Sequence, residues 1–148
     1  MNIRYLFSIG LHKIVVCLLL LVVLYGCVQE PDRFLGKWER YDDKSAGSII
    51  KVEKIGDKYE GKLLKVSGDL ADMGFVEGDI KWRHVDSKDE SHYEGSDLLK
   101  GVDTKGAVRY KRYEEVYFEL KNDDILLVSS YAEGEEEGTR QKWKKLSW

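Results

Sequence analysis

Two histidines, His84 and His92, stand eight residues apart in "HVDSKDESH", with Asp86, Asp89 and Glu90 between them. Folded across a hairpin, two imidazoles and a carboxylate are donor types that bind zinc and similar metals. Two histidines at this spacing fall short of a ligand set. The plainer expectation is one histidine facing a barrel interior, one facing solvent, and no metal. "EGEEEG" (133–138) is rich in carboxylates. It lacks the regular oxygen spacing of a calcium loop and reads as a solvated hairpin tip. Nothing in the chain has the pattern of a nucleophile elbow or a phosphate loop. The residues therefore point to a non-enzymatic protein without a cofactor. A hydrolase would need a cleft joining His84 to a carboxylate of shifted pKa.

Two further stretches carry side chains suited to binding. "VRYKRY" (108–113) interleaves Arg109, Lys111 and Arg112 with Tyr110 and Tyr113. Cations so placed can meet anionic headgroups, each adding about 1 kcal/mol near a membrane surface. Glu114 and Glu115 dilute the patch, and an exposed strand entry is the simpler reading. "GDLADMGFVEG" (68–78) is long for a hairpin loop and holds Leu70, Met73, Phe75 and Val76. Apolar loop residues must pack somewhere. They either plug a barrel end or form a lid over a cavity.

The first residues, "MNIRYLFSIGLHK", carry Arg4 and Lys13 and no acid, and residues 14–25 are apolar without a break. As a helix those 12 residues would span about 18 Å, short of the ~30 Å hydrocarbon core. This is the layout of a secretory signal. "LYGC" (24–27) resembles the bacterial lipobox, in which a leucine, a variable residue and a small residue precede a cysteine. The resemblance implies a lipoprotein signal peptide over 1–26, cleavage before Cys27, and lipidation of the Cys27 thiol. Residues 27–33, with the single proline Pro31, then form a short tether. Cys17 leaves with the leader, so the mature chain has no intrachain disulfide. Its formal charge moves from −3 to −5, because both charges lost are basic. Mild acidity with interspersed signs argues against general nucleic-acid binding.

The elements that must position these residues read as strands. Fourteen glycines, nine tyrosines and four tryptophans in 148 residues suit an all-β domain. Alternation predicts strands at 34–41, 47–55, 58–66, 78–86, 91–99, 113–120, 124–132 and 138–146. In the fourth, Ile80, Trp82 and His84 share a face; in the sixth, Val116, Phe118 and Leu120 do. Eight closely spaced strands joined by polar turns predict a single antiparallel meander over 34–148, closed into a barrel that leaves no edges.

"FLGKWERYDD", with Gly36 and Trp38, resembles the Gly-X-Trp opening of the lipocalins and fatty-acid-binding proteins, the calycin group. The resemblance implies a lipocalin-like barrel whose floor is closed by Trp38. A basic residue of the last strand packs over that indole in the family, and Arg140 of "GTRQKW" is the candidate here. It also implies a ligand in the barrel, expected between Leu70, Met73, Phe75, Trp82, His84, Tyr93 and Phe118. The chain is similar, too, to small bacterial lipoproteins with such barrels. Two functions follow as expectations. The first is a lipid-anchored cell-envelope protein, tied to a membrane through Cys27, that binds a small apolar or amphipathic molecule inside the barrel. The second uses the outer barrel surface to bind an envelope protein, as an inhibitor or accessory subunit. Cavity volume separates them.

Overall fold

The structure is a computed structural model that describes residues 32–130 and 140–147. Cys27 and the leader, together with "EGEEEG", lie outside the described residues. Among the described residues eight strands and one short helix follow in order: β1 (Gly36–Tyr41), β2 (Ile49–Ile55), β3 (Lys58–Lys65), α1 (Asp69–Asp72), β4 (Ile80–Ser87), β5 (His92–Val102), β6 (Val108–Leu120), β7 (Ile125–Ser129) and β8 (Gln141–Ser147). Each strand pairs antiparallel with the next, and β8 pairs with β1, closing an eight-stranded meander barrel. The expected fold class is what the chain adopts. Among the described residues no helix is long and apolar enough to cross a membrane.

Closure rests on local chemistry at β1. Gly36 sits at φ 117, a region that side-chain-bearing residues rarely enter. The register of β1 against β8 then shifts between Lys37 and Trp38. The extra residue is on β8, and Trp38, two residues on from Gly36, points inward, fully buried, with its indole N–H donating to the Phe34 carbonyl at 3.0 Å. The cation over its ring is Lys145, with Nζ 4.8 Å from the centroid, and Lys145 also donates to the Arg33 carbonyl. Arg140 does not take that place: it is exposed, ahead of β8. Lys145 is the direct β8 partner of Trp38 and so must share its face.

Alternation fills the interior. Trp38, Trp82, Trp143, Phe34, Tyr59, Tyr93 and Phe118 are all buried, joined by Ile50, Val52, Leu63, Val116, Leu120, Leu126 and Val128. Phe34 stacks on Tyr93 at 4.3 Å and meets Tyr59 edge-on at 5.3 Å. Trp82 meets Phe118 at 5.1 Å and Trp143 at 5.0 Å, both edge to face. Gly61 makes room for this stack: a Cβ there would lie 2.7 Å from the Trp82 ring and 2.8 Å from Ile50.

Two elements depart from the sequence reading. The β5–β6 hairpin is longer than expected, because "VRYKRY" continues β6 to Val108. β4 contains a bulge: its register to β5 runs from Arg83↔Ser96 to Asp86↔Glu94, one extra residue on the β4 side. His84 takes up that extra residue at φ 52 and is exposed, whereas Val85 is buried. His84 is therefore not on the Trp82 face. A bulge reverses the alternation that follows it.

Candidate functional site

The loop between β3 and β4 divides its apolar residues. Leu70, on α1, and Phe75 are buried, while Met73 and Val76 are exposed at 37% and 59%. Two ammonium groups lie near the Phe75 ring, Lys81 Nζ at 4.9 Å and Lys100 Nζ at 5.2 Å. Lys100 pins the loop by donating to the Gly74 carbonyl at 3.1 Å and pairing with Asp79 at 2.5 Å. Burial raises the Asp79 pKa, but the Lys100 bond, the Val76 N–H and nearby cations outweigh it and hold the carboxyl below its ordinary range.

Next to Phe75 is a buried ion pair. Lys81 and Asp97 are each 2% exposed and 2.7 Å apart, and Lys81 also donates to the Leu98 carbonyl. The other Asp97 oxygen accepts from Gln141, whose side-chain oxygen accepts from Arg40, itself paired with Asp43. Burial pushes the Lys81 pKa down, and Asp97 opposes that shift. Both charges have partners, so the arrangement reads as a structural network beside the loop.

The seven residues expected around a ligand are thus not assembled as one site. Trp82, Tyr93 and Phe118 are core, in contact directly or through Phe34. Leu70 and Phe75 belong to the plug, and Met73 and His84 face outward. His92 donates its Nδ1–H to the Asp89 carboxylate, 2.9 Å away, in the β4–β5 turn. The N–H groups of Ser91 and the His92 ring lead in holding Asp89 at a pKa of about 2. No group of three or more His, Cys, Asp or Glu among the described residues is placed to hold a metal ion.

Two hollows lie on the outer wall. A hollow of about 180 Å³ lies over β5, β6 and β7. Two cross-strand rows line it, His92↔Glu119↔Leu127 and Glu94↔Tyr117↔Ser129. The row between them, Tyr93↔Phe118↔Val128, is buried, which places the two lining rows on the outside. Tyr93 and Phe118 of that middle row also border the hollow, with Lys88 and Arg140. A second hollow of about 280 Å³ adjoins it, lined by His84, Asp86, Gly95, Ser96 and Glu115, and shares Lys88 and Glu94 with the first. Of the residues expected around a ligand, Tyr93 and Phe118 border the first hollow and His84 the second, but the hollows' place on the outer wall is not legible in the sequence. Their signal is the outward residues of β5 and β6, which are polar and indistinguishable from a solvated face until the register is known.

No protein family matches the chain, and no curated protein and no solved structure matches it either.

Proposed function

We propose that the chain is a lipid-anchored protein of the bacterial cell envelope, tied to a membrane through Cys27. It acts by binding and not by catalysis, and its binding face is the outer barrel wall over β5, β6 and β7, which takes a protein partner. The observation that carries this reading is where the space lies. Trp38, Trp82 and Trp143 are fully buried in the barrel, and the hollows lie outside it. The expected apolar ligand would have to displace that aromatic stack. The outer hollow combines Tyr117 and Leu127 with charges at its rim. An aromatic-lined pocket with a polar rim is the usual setting for an anchor side chain at an interface. The leader and "LYGC" support the anchor.

The test places a photo-crosslinking residue at Leu127 in the full chain in its native cells, with Lys51 on the β2 wall as control. A discrete adduct from Leu127 and none from Lys51 is expected. Equal yields from both positions, or uptake of a fluorescent fatty acid by the purified barrel, would overturn the reading.

A further inference from the structure

The two hollows are contiguous, and their chemistry differs. The Lys88–Glu94 ion pair, at 2.8 Å, lines both and so marks their shared border. On one side Tyr117 and Leu127 give an apolar surface. On the other, the β4 bulge opens a hollow with the carboxylates of Asp86, Glu94 and Glu115. Asp86 is neutralised by Lys58 and Glu94 by Lys88. Glu115 is exposed and has no ion-pair partner among the described residues. Lys88, already paired with Glu94, acts on Glu115 only at longer range, so three carboxylates against Lys58 and Lys88 leave the bulge hollow one net negative charge, with His84 at its edge.

Resting on the outer-wall reading above, we propose that the two hollows are neighbouring subsites for one extended segment of the protein partner. A lysine or arginine of that segment enters the bulge hollow against Glu115, and an aromatic or aliphatic side chain enters the hollow over Tyr117 and Leu127. The spacing fits. The centres differ by about two residues along β5 and one strand across it, roughly 8 Å from strand geometry. An extended chain presents residues i and i+2 on one face about 6.6–6.8 Å apart. A cation and an apolar residue separated by one position therefore reach both hollows across the Lys88–Glu94 border. Arg140, also without an ion-pair partner among the described residues, stands at the far side of the apolar hollow and can donate to a carbonyl of the same segment.

The experiment measures anisotropy of labelled peptides on the full mature protein in detergent. The probes are blocked pentapeptides holding Arg-Ser-Phe or Phe-Ser-Arg, and the same sequences with Arg→Glu or Phe→Ser. In at least one direction the Arg/Phe peptide should bind at least 10-fold tighter than either altered peptide. The Glu115→Arg variant should reverse the preference toward the Glu/Phe peptide, and Leu127→Asp should remove the contribution of Phe. Both positions are on the outer wall, and circular dichroism checks that each variant is folded. Equal binding of all peptides to the wild type, or an unchanged preference in Glu115→Arg, overturns the proposal. In that event a surviving Leu127 adduct keeps the outer wall as the binding face; loss of the adduct as well removes both readings.

Discussion

Lys81 and Asp97 show how a single residue can be indispensable without making the fold more stable than an apolar alternative. The pair is almost completely withdrawn from water, and each charge is tolerable only beside the other. Asp97→Asn should cost about 3–5 kcal/mol, because an ammonium is left buried without its counter-charge. The double change Lys81→Met with Asp97→Leu should recover most of that loss, since it removes both desolvation penalties together. Urea melts of the two variants decide the matter; a double variant as weak as the single one would mean that the network, and not the charge balance, fixes the local structure. Asp89 makes a different case in the exposed β4–β5 turn. Its folded pKa, about 2, lies below the ordinary 3.8, so its carboxylate favours the folded turn above pH 4. That contribution falls away as pH drops from about 4 through 2. An amide-shift titration of Ser91 and His92 should therefore show a midpoint near 2, and a midpoint near 3.8 would show that these N–H groups do not hold the carboxylate.

At the scale of elements, the β3–β4 loop behaves as a plug. Two ammonium groups lie within about 5 Å of the Phe75 ring, and Lys100 holds the Gly74 carbonyl before it and the Asp79 carboxylate after it. Phe75→Ala should cost about 3–5 kcal/mol, as for other buried aromatics. Binding of a fluorescent fatty acid should be undetectable in both wild type and variant. A variant of native stability that gained or lost probe binding would restore the lid. Much of this layer was legible beforehand. Val116, Phe118 and Leu120 alternate cleanly because β6 has a buried face there, and all three are in the core. Further up the same strand Val108–Arg112 is exposed on both faces, so no alternation marks it, and the hairpin was read short. Alternation alone places His84 inward, because one inserted residue in β4 leaves no compositional trace. The cation over Trp38 was sought in Arg140, although the last strand offers several basic residues and only pairing selects Lys145. The outer hollows depend on three-strand register, which no single stretch encodes.

The whole molecule is a barrel with an aromatic core, preceded in the chain by a segment that the proposed function takes as a leader and an anchor. Among the described residues, every member of the buried core falls between Phe34 and Trp143, and under the proposed function the leader is removed from the mature chain. Anchoring and folding should then separate. Several acyl chains on Cys27, at about 0.8 kcal/mol per buried CH₂, would hold the protein to a membrane. Cys27→Ser should abolish acylation and leave the leader attached, while the urea midpoint of the barrel stays within experimental error of the wild type. It should also abolish the outer-wall adduct if the partner is itself confined to the membrane surface, because tethering raises the local concentration of the two proteins. Mass spectrometry of the wild-type mature chain provides the deciding observation. A first residue other than a modified Cys27 would sink the anchor, and with it the argument that the outer wall is presented to a partner at a membrane.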